Sequence, residues 1–204
     1  MGLISNGTTI FDSGSMAAGL GGSMVFIKKL TASSSSTLSF VDGSSSVVLD
    51  NTYKEYLFII NNCHPSAASN FCMDGSTDGG SSYAATATST HFQSKVDEGG
   101  GSGSLTYEAG RDLHQSNLSV QRLTETQNTA NDECCSGFIR LFNPSSTTFI
   151  KHYLAVFESI SDNPSASNNY TGGFFDTTSA VNAIQFKFES GNIDSGTITL
   201  YGIS

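Results

Sequence analysis

The stretch "GFIRLFNPSSTTFIKHYLAVFES" constrains the fold of this chain more than any other. Phe138, Arg140 and Phe142 alternate with Ile139 and Leu141. After "NPSST", Phe149, Lys151, Tyr153, Ala155 and Phe157 alternate with Ile150, His152, Leu154 and Val156. Successive side chains of a strand point to opposite faces, so a period of two marks strand and not helix. Two such runs around a Pro- and Ser-containing turn predict a β-hairpin. Both sides of the second strand are mostly apolar, so both of its faces should be covered.

The same period governs most of residues 24–204. "MVFIKKLTA" and "STLSFVDG" alternate, and "SSSVVLD" follows a turn at Asp42-Gly43. "EYLFIINN" is nearly continuous in apolar residues, as expected of a central strand buried on both faces. "AIQFKFES" and "GTITLYGIS" flank "GNIDS" and predict a closing hairpin, with Ile184, Phe186 and Phe188 on one face and Ile198, Leu200 and Gly202 on another. Residues 63–133 are loop-rich, with "DGSTDGGSS" and "DEGGGSGS" as breakers and weaker strands near "SSYAATATSTHFQS" and "NLSVQRLTET". No window carries a helical period. The expected fold is all-β: one antiparallel β-sandwich of jelly-roll type over 24–204, with about eight to ten strands. Residues 1–23, rich in Gly and Ser, form the expected extended N-terminal arm. Its isolated apolar residues, Leu3, Ile4, Ile10, Phe11 and Leu20, are the candidate anchoring residues, held in place by a neighbouring chain.

Charge narrows the partners. Nine Lys and Arg stand against 18 Asp and Glu, a formal net charge of −9. Neutralising phosphates takes clustered Lys and Arg, and the only adjacent pair is Lys28-Lys29, so nucleic acid is excluded as the main partner. No apolar run reaches membrane-spanning length and no secretory leader is visible, so the expected product is made and kept in a cytoplasm. On that expectation the N-x-[ST] sites at Asn6, Asn117 and Asn169 carry no glycan, and Cys63, Cys72, Cys134 and Cys135 are reduced, partly buried thiols. A disulfide to Cys63 or Cys72 stays open after release into an oxidising medium.

Chemistry is sparse. No nucleophile elbow, phosphate loop, dinucleotide fingerprint or paired-histidine zinc motif is present. His64, His91, His114 and His152 are scattered, and His152, inside a strand, reads as a hydrogen-bonded structural histidine. Cys63, His64 and Cys72 lack a fourth ligand for zinc. Asp74, Ser76 and Asp78 before Gly79 match the first half of a calcium loop, but the twelfth position is Ala85. Glu55, Asp97, Glu98, Glu108 and Asp112 form no evident catalytic pair and read as surface charges, and without Trp the chain lacks the usual sugar-stacking ring. No catalytic residue, cofactor or metal site is expected.

"MGLISNGTTIFDSGS", "LTASSSSTLSFVDGSSSVVLDNTYKEYLFIINNCHP", "GFIRLFNPSSTTFIKHY" and, most specifically, "IQFKFESGNIDSGTITLYGI" resemble small all-β structural proteins of tailed phages of marine bacteria, of the cyanophage and pelagiphage type. The resemblance covers about two-thirds of the chain and carries nothing over to residues 63–133. It implies a non-enzymatic virion protein, made in the host cytoplasm and released by lysis, attached to other virion proteins through its arm. A decoration or fibre-like subunit is the first expectation, and a homo-oligomer, taken first as a trimer, its assembly. A tail-fibre adhesin for host-surface glycan comes second, with the 63–133 loops as its binding surface, and a polysaccharide depolymerase last.

Overall fold

The computed structural model of the chain describes residues 3–6, 8–12, 15–16, 23–101, 103–116, 120–161 and 164–204. Among them no helix occurs, and the strands pair antiparallel throughout. In chain order they are β1 (Leu3–Ser5), β2 (Thr8–Asp12), β3 (Ser15–Met16), β4 (Met24–Thr31), β5 (Leu38–Val41), β6 (Glu55–Pro65), β7 (Phe71–Ser76) and β8 (Ala87–Asp97). Then come β9 (Ser104–Tyr107), β10 (Leu113–Ser116), β11 (Gln121–Arg122), β12 (Cys135–Phe142), β13 (Lys151–Ile160), β14 (Ser165–Phe175), β15 (Ala183–Phe188) and β16 (Ile193–Ile203). β1–β3 form a small meander of their own.

The remaining strands make two sheets. The large one runs β10-β8-β14-β13-β12-β6-β16-β4 with β9 added on β8, and the small one runs β11-β7-β15-β5. Setting β8–β10 and β13–β14 aside leaves eight strands. Their order is first-eighth-third-sixth in one sheet and second-seventh-fourth-fifth in the other, which is the topology of a jelly roll. The two excursions pair with each other along β14 and β8 and extend the large sheet beyond β12. The sandwich thus holds more strands than the eight to ten expected, because both excursions add to one sheet.

Alternation explains the core. Tyr56, Phe58 and Ile60 of β6 point inward and meet Phe40, Phe71, Phe186 and Phe188 from the small sheet. Phe58 lies 5.4 Å from both Phe40 and Phe186, ring to ring, and Phe71 lies 5.2 Å from Phe188. Each buried Phe contributes roughly 1.5–3 kcal/mol of transfer free energy, and these rings hold the two sheets together.

The small sheet reaches as far as β13, where Phe71 meets Phe157 at 5.9 Å and Tyr153 Oη donates to Gln121 Oε1 at 2.7 Å. Beyond β13, on β14 and β8, the lining changes. There the inward residues turn polar: His91, Gln93, Ser167, Asn169 and Thr171 are all buried. Arg111 and Glu125 supply hydrogen-bond partners to Gln93, and Glu125 one to Ser167, while His91 bonds to Thr171 and Asn169 within the sheet, as burial of polar groups demands.

The predicted hairpin of β12 and β13 is present, with Phe138 opposite Val156 and Leu141 opposite Tyr153. The closing hairpin is not. β15 pairs β5 and β7, whereas β16 pairs β4 and β6, so "GNIDS" carries the chain from one sheet to the other. Gly191 does adopt φ +73°, as a turn requires. The face assignments survive: Ile184, Phe186, Phe188, Ile198, Leu200 and Gly202 are all buried.

Candidate functional site: the uncovered face of the large sheet

β6 and β13 were both expected to be covered on two sides, and in this chain neither is. Ile59 is 37% exposed and Leu154 is 50% exposed on the outward side of the large sheet. The registers place these residues in rows. Ile59, Phe138, Val156, Tyr170, Phe92 and Tyr107 stand opposite one another across β6, β12, β13, β14, β8 and β9. A neighbouring row runs Phe26, Tyr201, Leu57, Arg140, Leu154 and Gly172. Phe92 and Tyr170 stack at 4.9 Å with their planes 9° apart, and Phe26, 60% exposed, meets the Tyr201 ring edge-on. Directly opposed side chains on one face of a sheet touch, so the rows form a continuous apolar surface.

Two hollows break this surface. One, of about 500 Å³, lies among Leu57, Ile59, Phe138 and Ile203 beside the ion pair of Arg140 and Glu55. That carboxylate raises the Arg140 pKa further through its hydrogen bond and charge, and the guanidinium sits 5.7 Å from the Phe142 ring. The other, of about 400 Å³, lies between Phe142, His152, Leu154 and Phe174, with Gly172 as floor and the Thr88 and Thr90 hydroxyls alongside.

The expected site residues fall elsewhere. Ile4 of β1 is exposed; the side chains of Leu3, Ile10 and Phe11, and the whole of Leu20, lie outside the described residues. His152 is not the hydrogen-bonded structural histidine that the alternation suggested. It is exposed, with only an edge contact to Phe174, because even positions of β13 face outward. That role belongs to His91, fully buried between Thr171 Oγ1 at 2.8 Å and Asn169 Oδ1 at 3.3 Å. Burial, reinforced by the nearby Arg111 charge, lowers its pKa to about 4.

Asp112 is also not a surface charge. Its carboxylate is almost fully buried, accepts a hydrogen bond from Tyr107 Oη and faces His114 Nε2 at 3.2 Å. Several other carboxylates are held by cations, Glu55 by Arg140 among them. Arg111 bridges Glu108 at 3.3 Å and Glu125 at 3.9 Å, Lys95 binds Glu125 at 3.0 Å, and Lys187 binds Asp74 at 2.9 Å. Burial pushes Glu125 up, but hydrogen bonds from Lys95 and Gln93 and the charges of Lys95 and Arg111 outweigh it and lower its pKa. Sequence reasoning missed this cluster because its members are spread over some 30 residues, from β8 to the loop after β11.

The half-motif for calcium is a self-satisfied turn. Asp78 Oδ1 accepts from Ser76 Oγ and Ser82 N, and Oδ2 accepts from Ser82 Oγ. These bonds, Ser82's first, lower its pKa to about 2. Among the described residues no three His, Cys, Asp or Glu side chains gather to hold a metal ion, and all four cysteines are free thiols, with Cys63, Cys72 and Cys135 buried.

What this surface can do is adhere. It offers apolar area and the ion pair of Arg140 with Glu55. Comparison of the chain with family models, curated proteins and solved structures finds no match in any of the three.

Proposed function

We propose that this chain is a non-catalytic structural protein of a bacteriophage particle, a surface decoration or fibre-like subunit attached through residues 1–23. The observation that carries this reading is the mismatch on β6 and β13: their sequences are apolar on both sides, yet the folded domain covers one side only. Apolar sheet faces of this extent mark interaction surfaces, as expected of a subunit that completes its burial within an assembly. The ion pairs that hold Glu55, Asp74, Glu108 and Glu125 favour a structural role for those carboxylates over hydrolysis. The phage setting rests on the resemblance of both chain ends to marine phage structural proteins. Quantitative mass spectrometry of purified particles against the major capsid protein tests it. Dozens of copies or more make the chain a head decoration, a handful place it at the tail, and its absence from particles overturns the reading.

The hollow over Gly172 favours a second reading, a glycan-binding adhesin. Aromatic rings beside threonine hydroxyls and an exposed imidazole suit the mixed apolar and polar faces of a sugar. Glycan-array binding that is lost in His152→Ala and kept in Phe149→Ser would support it, and no binding to any glycan would remove it.

A further inference from the structure

We propose that the uncovered face of the large sheet is where a second copy of this chain packs. The inference deepens the structural reading above and rests on it, and it names the partner of that face.

Charge points to a second copy. The chain carries a net charge of −9, so two copies repel through most of their surface. The outward side of the large sheet is different. Around the two rows its cations are Lys29 of β4 and Arg140 of β12, and its carboxylates are Glu55 of β6 and Glu158 of β13; Asp194, at the far end of β16, faces His64 Nδ1 at 3.8 Å. Arg140 and Glu55 neutralise each other, and Glu158 accepts a 2.7 Å hydrogen bond from Asn168 Nδ2. A neutral, apolar patch on an acidic protein is a place where a like copy approaches without repulsion. It is also complementary to itself, as a face used by both partners must be.

Size points the same way. Six strands at a spacing of about 4.8 Å span about 29 Å, and seven residues of strand span about 24 Å, which gives roughly 700 Å² per copy. Stable interfaces bury roughly 800 Å² per partner, so the patch is close to what one such contact needs. Tyr170, Phe92, Phe138 and Tyr107 are residue types that anchor such contacts. The two hollows receive side chains from the opposite copy, and Gly172 deepens one of them by presenting no Cβ.

The test is the solution mass of the full chain. Sedimentation equilibrium should give a multiple of 21.4 kDa that falls to 21.4 kDa in Phe138→Ser and in Tyr170→Ser. Both residues are partly exposed, so neither change opens a cavity in the core, and an unchanged far-UV circular dichroism spectrum verifies the fold. Phe149→Ser, 68% exposed but in the turn before β13, should keep the multimer. Because the patch is neutral, raising salt should weaken association little or strengthen it by screening the acidic remainder. A monomer at all concentrations, or a multimer with the same mass in both face variants, overturns the proposal. The structural reading fails separately: if the wild type is monomeric but Phe138→Ser particles lose the chain, another virion protein occupies the face, the self-association proposal falls and the structural reading stands.

Discussion

Cys135 on β12 stands directly opposite Cys63 on β6, its Sγ 3.6 Å from the Cys63 carbonyl oxygen, with both thiols buried. Burial, with a smaller contribution from Cys134, raises the Cys63 pKa to about 12, and burial drives Cys135 well above its ordinary value. Cys134 next to it is only partly buried, and its pKa is raised by burial and by Asp132. Since thiolates and not thiols react, a maleimide should label Cys134 first, ~10-fold or more ahead of the others. Peptide mapping of briefly labelled native protein checks this, and equal labelling of Cys135 would contradict the packing described.

His91 gives the fold an acid sensitivity. Its folded pKa, about 4, lies below its ordinary value of about 6.5. As pH falls through this window the unfolded chain takes up the proton first, so stability is intact above about 6.5 and declines towards 4. The urea midpoint should drop between about pH 7 and about pH 5, and His91→Gln should flatten that drop. An equal drop in the variant would assign the effect to the carboxylates.

Gly137 is fixed by close approach. A Cβ at this position would collide with the Val156 carbonyl oxygen and the Phe157 ring. Gly137→Ala should cost on the order of 2–3 kcal/mol, read as a lowered midpoint in denaturant, because neither the ladder nor the buried ring can move aside.

Lys151 is fully buried, and its ammonium donates to the carbonyl oxygens of Phe149 at 2.9 Å and Thr177 at 3.0 Å. Burial lowers its pKa. Lys151→Ala leaves both carbonyls unpaired beside a void and should cost about 2–4 kcal/mol, whereas Lys151→Met, which refills the volume, should cost less. Differential scanning calorimetry of both variants makes the comparison, and equal losses would show that packing contributes nothing there.

Calcium should leave the protein unchanged. Asp78 uses both carboxylate oxygens on Ser76 and Ser82, and Asp74 is paired with Lys187. The melting temperature should be the same in calcium and in chelator, and a rise of several degrees with calcium would show that the turn opens to bind it.

Alternation made β4, β5, β6, β12 and β13 legible, along with the inward faces of β15 and β16. The β15–β16 link was misread for a physical reason: Gly191-Asn192 turns the chain equally well within a sheet or between sheets, and only long-range pairing decides. β7 was hidden because five of its six residues are buried, which erases the period. His91 and Asp112 were not legible because their burial depends on a loop folding over an excursion that local sequence does not announce. The uncovered face was half legible: the two-sided apolarity of "EYLFIINN" and "FIKHYLAVF" was plain, while its one-sided coverage needed the topology.

β16 lies between β4 and β6, so a strand made near the start of synthesis waits for one made some 170 residues later. Until residues 193–203 emerge from the ribosome, the aromatic side of β6 has no neighbour on that flank. Contacts this distant in sequence close slowly, and the nascent chain must keep its exposed strands from pairing with those of other chains in the meantime. Crowded synthesis is where this fold is most exposed to error, because the strands that wait are those whose partner is made last.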